Sequence, residues 1–393
     1  MITEEAALAH VLESVRALPP RRVSLFQALG QFAAGDVVAR HALPGFDNSA
    51  MDGYAVVASS CRKGQSQRVV GEQPAGIDRQ LHVAPGEAAR IFTGAPIPVG
   101  ADAVIMQEDV RREGAEIFIN SEVESGEFVR RRGSDLSEGQ KILGAGQRIG
   151  AQTLALLASQ GLAEIEVGGG VRAAIVTTGD ELVPPGETLR TGQIYESNSV
   201  LLHALFHKCG VSDVSITHCP DDASAIESAL RTGLQHDVLV IVGGVSVGAR
   251  DLVKPALTAV GAQTDLWRVS VKPGKPFLFG RAGSTAIFGL PGNPVSAFVT
   301  FLLFVRPAIL RMVGAGSGDL SLPKEEAQLT DGIENKGDRP HYVRGWLGQG
   351  KFTPVGRQES HALYGLSRSN ALLRLAPGET FSGGATVSVL NLA

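Results

Sequence analysis

The sequence predicts a multidomain α/β plus β fold, in which a doubly wound α/β domain is joined to a stalk, an inserted β domain and a C-terminal β-barrel. The chain has 393 residues, enough for several domains at roughly 150 residues each. From about residue 171, apolar runs of strand length alternate with helical patterns, which predicts a largely parallel sheet covered on both faces. The 48 glycines and 20 prolines indicate many tight turns and short strands.

Residues 1–40 and 138–168 are predicted to form the stalk. Its first helix is capped by Thr3 and ends before two prolines, and a second short helix is predicted through residues 26–32. Between the stalk segments, residues 41–137 change to short β-branched runs separated by glycine and proline, so we predict an inserted β domain. Its clearest strands are predicted at residues 88–92, 103–106 and 116–119.

The α/β domain is predicted at residues 169–314. Its strands are expected at residues 172–177, 213–217, 237–242, 277–280 and 284–289, and its helices at residues 198–208, 222–234, 251–260 and 294–312. After a linker rich in glycine and serine, residues 315–393 show alternating polarity and frequent turns, which predicts a small β-barrel or sandwich.

Composition and charge exclude several classes of protein. A formal net charge of −4 and a pI near 6.2 give no basic surface for nucleic acid. No signal peptide is evident, and the most apolar stretch, residues 297–309, is interrupted by an arginine and a proline, so we expect no membrane span and a cytoplasmic protein. The three cysteines lack zinc-site spacing and leave one unpaired, so any metal is expected to be held by oxygen.

Four segments at predicted strand ends combine glycine with a carboxylate or hydroxyl: TTGDEL at 177–182, ESN at 196–198, GGVSVGARD at 243–251 and LPGNPVS at 290–296. Glycine allows positive φ and close approach of backbone N–H groups to an anion, so a phosphate-bearing ligand is predicted here. Acids at such turns are usually helix caps, but several on one rim also suit a hard cation such as Mg²⁺.

Other motifs lie outside these strand ends. The segment KPGKPF at 272–277 holds two lysines on a rigid turn. The lysines either bind an anion or belong to an ordinary solvent-exposed turn. The inserted domain contributes PGFDNSAMDGYA at 44–55, whose acids are either ligands or turn formers. Thr93 in the following FTGAP turn is predicted to bond a ligand or to close the turn.

With SAMDGYA, TGAPxPxGADAVxxxE, TTGDEL, GGVSVG, KPGKP and LPGNPVS in this order, the chain resembles the molybdopterin molybdenumtransferase (MoeA) family, to which the gephyrin E domain also belongs. The resemblance runs from about residue 1 to the end. It implies that molybdate is inserted into adenylylated molybdopterin and that AMP is released by Mg²⁺-dependent hydrolysis. It also implies a four-domain homodimer whose active cleft is shared between subunits.

The resemblance carries site residues over by motif. Positions tied to catalysis or ligand binding are matched by Asp52, Thr93, Asp135, Glu181, Asp221 and Asp251. Of these, Glu181 and Asp251 are the implied metal ligands, and the choice of Asp221 over Asp222 stays open. The ligand-binding surface is matched by Ser197, Asn198, Gly243, Gly244, Ser246, Lys272, Lys275, Pro291, Asn293 and Pro294. Segments that reach toward the partner's cleft are matched by Arg344, Ser360 and His361.

Three other functions are weighed against this one. An enzyme that adenylylates molybdopterin would resemble the α/β domain standing alone, a synaptic-type scaffold would need an additional domain and a long linker, and a non-catalytic binder would not need the clustered acids and lysines. The sequence departs from many relatives at Ala249 and Arg250, which lowers local negative charge. It leaves open the preference between molybdate and tungstate, and a transient contact with the molybdopterin adenylyltransferase that supplies the substrate.

Overall fold

A computed structural model describes residues 1–244 and 252–392, apart from the side chain of Trp267. The chain forms two compact units. The first comprises Met1–Gly35, Ala145–Ala155 and Leu162–Ala393, and the second comprises Asp36–Gly144 and Leu156–Gly161. The helix Ala151–Ser159 is divided between the units, since it begins in the first and ends in the second.

A six-stranded sheet forms the centre of the first unit. Its strands lie in the order Asp213–Cys219, Arg172–Thr178, Val238–Val242, Thr285–Leu290, Pro276–Ala282 and Gln263–Arg268. The first four strands run parallel to one another, the fifth is antiparallel to the fourth, and the sixth is antiparallel to the fifth. Both faces are covered by helices, which are Asn198–Lys208, Ala223–Gly233, Val253–Ala259, Pro294–Thr300 and Arg306–Met312, with a π-helical segment at Phe301–Val305.

Alternate side chains of the sheet enter two different cores. In the strand Val238–Val242, Val238, Val240 and Val242 pack with the helices Asn198–Lys208 and Pro294–Thr300. Leu239 and Ile241 point the other way and pack with the helices Ala223–Gly233 and Val253–Ala259. The unbroken apolar sequence of this strand follows from burial on both faces, and the doubly wound α/β class is confirmed.

One strand of the sheet is absent from the sequence-based prediction. Gln263–Arg268 pairs antiparallel with Pro276–Ala282, and the KPGKP segment connects the two. Its polar residues alternate weakly because it is an edge strand with irregular register, so the sequence carries little periodic signal.

The C-terminal part of the first unit is a closed barrel, which decides between the barrel and the sandwich. The strands follow each other around it in the order Lys324–Leu329, Lys351–Pro354, His341–Gly348, Ala371–Leu375 and Thr386–Asn391. Phe352 is fully buried inside it, and a methyl group on Gly345 would lie 2.2 Å from its ring. Short elements accompany the barrel: the helices Ser317–Leu320 and Leu363–Ser367 and the paired strands Ile333–Glu334 and Thr380–Phe381.

The N-terminal segment differs from the prediction in one element. The first helix, Glu4–Ser14, is capped by the Thr3 hydroxyl as predicted. The second predicted helix is wrong: Arg21–Ser24 is a strand that pairs with Glu164–Val167, and only a single 3₁₀ turn, Leu25–Gln27, follows. The apolar residues of this stretch do not line a helix face, since Phe26 is 99% exposed. Backbone bonds to residues distant in sequence, such as Gly30 to Ile149 at 2.9 Å, replace the helical bonds there and outweigh local helix propensity.

A buried acid ties the first helix to the barrel. Glu4 accepts hydrogen bonds from the Tyr342 hydroxyl, at 3.0 Å, and from the Arg374 guanidinium. Glu4 is 8% exposed, so its charge needs these partners. The contact joins residues more than three hundred positions apart and fixes the barrel against the α/β layers.

The second unit is built on a six-stranded sheet. Its order is Ala103–Met106, Gly53–Val56, Glu87–Ile91, Ser66–Gln73, Glu116–Ile119 and Val110–Glu113. Two short antiparallel pairs accompany it: Asn48–Ser49 with Val129–Arg130, and Val37–Val38 with Lys141–Leu143. This sheet and these strand pairs confirm the predicted β character of the region.

Among the described residues, one helix has the length and apolar composition of a membrane span. It is the continuous run Pro294–Met312. Inside the protein, 78% of its most apolar window is buried, which is typical of the core helix of a soluble protein.

Candidate functional site

The candidate site lies at the carboxyl edge of the sheet in the first unit. Three neighbouring parallel strands end there, at Thr178, Val242 and Leu290, and run into the segments TTGDEL, GGVSVG and LPGNPVS. The turns are close: a methyl group on Gly292 would lie 3.9 Å from the Cα of Gly243. Segments that are far apart in sequence therefore meet at the edge where open α/β sheets bind ligands.

The two glycines after the central strand have no room for side chains. Gly243 and Gly244 have φ angles of +91° and +61°. A methyl group on Gly243 would lie 2.6 Å from the carbonyl oxygen of Thr178, and one on Gly244 would lie 2.6 Å from Cγ2 of Val253. The Thr178 hydroxyl beside them is buried and has no hydrogen-bond partner in the described chain. An oxygen-rich anionic ligand would satisfy this hydroxyl.

Asn198 links a neighbouring helix to the same edge. Its side-chain amide donates to the Gly292 carbonyl at 2.7 Å, and its Oδ1 atom is buried without a partner among the described residues. The buried Glu196 carboxylate accepts from the backbone N–H groups of Asn198, at 2.7 Å, and Ser199, at 3.0 Å. Sequence reasoning missed this role, although an acid just before a predicted helix is a recognisable signal. Ser197 lies between them, half-buried, and lines a surface groove.

The LPGNPVS turn contacts the C-terminal part of its own chain. Asn293 begins the helix after Pro291, but its side chain donates to the Ser360 hydroxyl at 2.9 Å instead of capping the helix. The Val295 N–H donates to the Ser360 carbonyl at 3.2 Å. Ser360 therefore lies at the edge formed by its own chain, and Pro294 occupies the first helical position.

Two exposed lysines flank a rigid turn that the barrel holds. The Lys272 N–H donates to the Pro340 carbonyl, and the Tyr342 N–H donates to the Lys272 carbonyl, both at 2.8 Å. Gly274 between the lysines has φ +123°, and a methyl group there would lie 2.5 Å from Thr300. Within the described part of the chain, neither Lys272 nor Lys275 forms a salt bridge, so both ammonium groups are available to an anion.

Arg344, in a segment expected to reach toward a partner's cleft, is buried among carbonyl groups of its own chain. Arg344 is 1% exposed. Its guanidinium donates to the carbonyl groups of Ala362, at 2.8 Å, Glu359, at 3.2 Å, and Arg357. Arg344 therefore stabilises the loop that carries Ser360 and the exposed His361.

The acids at the other end of the edge have different partners. Asp180 accepts from the Asp221 N–H at 3.0 Å. Asp222 caps the helix Ala223–Gly233 by accepting from the N–H groups of Ser224, at 3.0 Å, and Ala225, at 2.9 Å. The Ser224 hydroxyl bond holds the pKa of Asp222 below its ordinary value. Asp222 therefore has a structural role as a helix cap, and the choice of Asp221 as the site residue stays a prediction.

One of the two predicted metal ligands can be placed. Glu181 is exposed, and its Oε2 would lie 2.7 Å from a methyl group on Gly179. Within the residues that the structure describes, no group of three or more His, Cys, Asp or Glu side chains is placed to hold a metal. The Glu181 carboxylate is nevertheless of the type that Mg²⁺ prefers, and it fits an ion whose other ligands are water and phosphate oxygens.

Part of the central loop cannot be placed. Asp251, the second predicted metal ligand, and Ser246, a predicted ligand-binding residue, lie outside the described residues. The departures at Ala249 and Arg250 lie outside them too. Their roles stay predictions from the motif.

In the second unit, the structure brings two predicted residues together. Asp52 Oδ1 accepts from the Thr93 N–H at 2.8 Å and from the Thr93 hydroxyl at 2.9 Å. These bonds hold the pKa of the exposed Asp52 carboxyl below its ordinary value, so it stays ionised. Asp135 is exposed, and its N–H donates to the Leu43 carbonyl at 3.0 Å.

Three family models match the chain along most of its length. They are the MoeA N-terminal region (domain I and II) over residues 2–161, a probable molybdopterin binding domain over residues 174–311, and the MoeA C-terminal region (domain IV) over residues 326–392. The edge built from TTGDEL, GGVSVG and LPGNPVS lies within the second match.

Relatives and solved structures agree with these matches. A molybdopterin molybdenumtransferase of Haemophilus influenzae is 35% identical over 99% of this chain and 98% of its own. Molybdopterin molybdenumtransferase 2 of Mycobacterium tuberculosis is 38% identical over 92% of each chain. The crystal structure of a molybdopterin biosynthesis MoeA protein from Pyrococcus horikoshii OT3 superposes over 100% of both chains, with a TM-score of 0.85 and 29% identity.

His341 lies beneath the lysine turn and gives a prediction about pH. It is 8% exposed, its Nε2 atom has no partner in the described chain, and it pairs through its backbone with Lys272. Burial, with the charge of Lys272 next, lowers the pKa of His341 to about 4. An unfolded histidine titrates near pH 6.5, so between these values the unfolded state binds more protons.

We therefore expect the free energy of unfolding to fall as the pH drops from about 6.5 to about 4, and the His341→Leu variant to lose this part of the dependence. Urea unfolding at pH 7.0, 5.5 and 4.5 measures it. The matched control is His361→Leu, because His361 is exposed. The explanation fails if both variants keep the pH dependence of the unmodified protein.

Proposed function

The chain belongs to the MoeA family of molybdopterin molybdenumtransferases, and from this premise we propose that it inserts molybdate into adenylylated molybdopterin and releases AMP by hydrolysis. The observation that carries the proposal is the glycine-lined cradle at the carboxyl edge of the sheet. There, an unpaired buried hydroxyl of Thr178 meets two glycines that cannot carry a side chain. We place the phosphate groups of the substrate in this cradle.

The cradle supplies donors suited to phosphate. The backbone at Gly243 and Gly244 and the hydroxyl of Thr178 lie together, so N–H and O–H groups can point at one phosphate. Donors fixed by a folded backbone need no reorganisation when negative charge shifts during the reaction, so they stabilise the transition state as well as the substrate.

Lys272 and Lys275 supply positive charge for a second anionic group. Both are exposed, and the backbone between them is held by the barrel. Molybdate is a compact dianion, and point charges such as ammonium groups suit it better than an apolar pocket. We propose that these lysines hold molybdate or the pterin phosphate beside the cradle.

Mg²⁺ would be held by Glu181 and Asp251, the latter from the motif alone. When bound, the ion neutralises phosphate charge and polarises the bond that is hydrolysed. In that hydrolysis, the oxygen of water bonds to one of the two phosphorus atoms, and the bond from that atom to the bridging oxygen breaks. AMP carries the oxygen of water if its own phosphorus is attacked, and the bridging oxygen if the other phosphorus is attacked. One proton is released. No side chain needs to act as a nucleophile, so the residues of the chain bind, orient and screen charge.

The residues of the second unit act, in this proposal, in the cleft of a partner subunit. Asp52, held ionised by Thr93, would face the α/β edge of the other chain in a homodimer. Asp135, also of the second unit, and Asp221, of the first unit, would complete the polar wall of that cleft. We also propose that the protein works in the cytoplasm and receives its substrate by transient contact with the adenylyltransferase that makes it.

The reaction is tested by measuring AMP release from adenylylated molybdopterin with Mg²⁺, in the presence and absence of molybdate. We expect molybdate to stimulate release, and the product to activate a molybdoenzyme that lacks its cofactor. Synthesis of the adenylylated compound from ATP would favour the preceding enzyme of the pathway instead. If the protein shows neither activity, the proposal is refuted.

Glu181→Gln is expected to lower kcat about 100-fold or more while the protein folds normally, because a carboxylate that holds a cation is lost. Its matched control is Glu187→Gln, an exposed acid of the same segment that should keep normal kcat. The measurement is the rate of AMP release against Mg²⁺ concentration. Unchanged activity and unchanged Mg²⁺ dependence in Glu181→Gln would remove this residue from the site.

The shared cleft is tested by mixing two inactive variants, Asp52→Asn and Lys275→Met. In an equal mixture of re-formed dimers, half are mixed and each holds one intact cleft, so activity should return to about a quarter of the normal value. The control is the same mixture without subunit exchange. A verified heterodimer without activity would show that each cleft is built from one chain.

A further inference from the structure

A second cavity lies in the first unit, away from the glycine edge. It encloses about 740 Å³ between the helices Asn198–Lys208 and Pro294–Met312 and the end of the barrel. Apolar side chains form most of its wall, among them Leu201, Leu205, Phe298, Phe301, Leu302 and Leu366. This volume and this lining are typical of small-molecule sites, which combine an apolar wall with a few polar groups.

Three cations gather at one end of this cavity. Arg148, Lys208 and Arg306 all line it. Arg306 donates to the backbone carbonyls of Leu320, at 2.8 Å, and Asp319, at 3.2 Å, and Lys208 donates to that of Leu392 at 3.1 Å. These partners are uncharged.

Arg148 stacks on the ring of Phe32, with its guanidinium carbon 4.8 Å from the ring centroid. In the part of the chain that the structure describes, none of the three cations forms a salt bridge, and Asp319 is the one carboxylate on the wall. The end of the cavity therefore has an excess of positive charge.

A smaller polar cavity adjoins this end. It encloses about 400 Å³ and shares Arg148, Lys208 and Cys209 with the larger one. Its lining also includes Arg21, His207 and residues 168–170. Burial lowers the pKa of Arg306, Cys209 and Asp319 raise it, and Arg148 lowers it, which indicates that Arg148 and Arg306 lie close enough to repel each other. A ligand with negative charge would relieve this repulsion.

The cavity is distinct from the proposed molybdopterin site. Ser197 and Asn198 lie at the start of the helix Asn198–Lys208, whereas the cations lie at its end, about 15 Å away at 1.5 Å per residue. Leu201 and Leu363 line both this cavity and the groove beside Ser197. A bound ligand would thus contact residues that also line the groove beside Ser197, without occupying the glycine cradle.

We propose that this cavity binds an amphipathic anion, with an apolar body between the two helices and a sulfonate, carboxylate or phosphate group at Arg148 and Lys208. The apolar wall supplies burial, and the shared cations fix the orientation of the ligand. The proposal does not rest on the chemistry proposed at the glycine edge, because the cations that would hold the ligand lie outside that edge.

The test uses two fluorescent probes of nearly the same shape. The anion 8-anilinonaphthalene-1-sulfonate carries the charged group, and N-phenyl-1-naphthylamine lacks it. We expect one anionic probe to bind per chain with micromolar affinity. In the double variant Arg148→Met and Lys208→Met, the affinity for the anion should fall about tenfold or more, while the neutral probe binds as before. Arg311→Met, an exposed arginine on the helix Arg306–Met312, is the matched control and should change neither.

A second variant tests the position of the probe. Leu322→Trp puts a larger side chain into the lining of the cavity and should abolish binding of both probes, while thermal unfolding followed by circular dichroism shows that the protein is folded. The proposal is overturned if the anion binds only at millimolar concentration, if the double variant weakens both probes equally, or if folded Leu322→Trp still binds them.

Discussion

The approach of the strand ends at Thr178 and Gly243 is the constraint on which the site depends. The backbone at Gly243 passes so close to the carbonyl group of Thr178, on the neighbouring strand, that a methyl group on Gly243 would lie 2.6 Å from the carbonyl oxygen. A side chain at that position would push the two strands apart, and the donors of the cradle would no longer converge. The same closeness leaves the Thr178 hydroxyl buried without a partner in the described chain. The protein thus keeps an unsatisfied polar group at the place where a ligand can satisfy it.

The C-terminal barrel acts as a support for this edge. Backbone hydrogen bonds from the start of its strand His341–Gly348 hold Lys272, and the loop fixed by the buried Arg344 places Ser360 against Asn293. Glu4 adds a buried contact from the first helix to the barrel. The positions of the lysines and of the LPGNPVS turn therefore depend on how the barrel packs, and a change far from the ligand can alter the binding surface.

Strong periodic patterns made much of the fold predictable. The central parallel strands are buried on both faces and helices cover them, so apolar runs and helical spacing identified them. The edge strand Gln263–Arg268 has irregular register, and Arg21–Ser24 is a strand only because Glu164–Val167 pairs with it, so neither has a local signal. In the site, the glycines were recognisable because the turns require them, and the lysines because they lie on either side of a rigid Pro-Gly turn. The burial of Arg344 was not, since it depends on carbonyl groups brought together by folding.

The helix Pro294–Met312 has a consequence for how the chain is made. It is apolar enough to pass for a membrane segment, and it leaves the ribosome before the strands of the barrel. Its core includes Tyr342, Leu366 and Leu372, which are synthesised later. Until they arrive, part of this helix stays exposed to water and to other nascent chains. A chain that stops short of the barrel would therefore be prone to aggregate, even though the sheet and its ligand-binding turns had already been made.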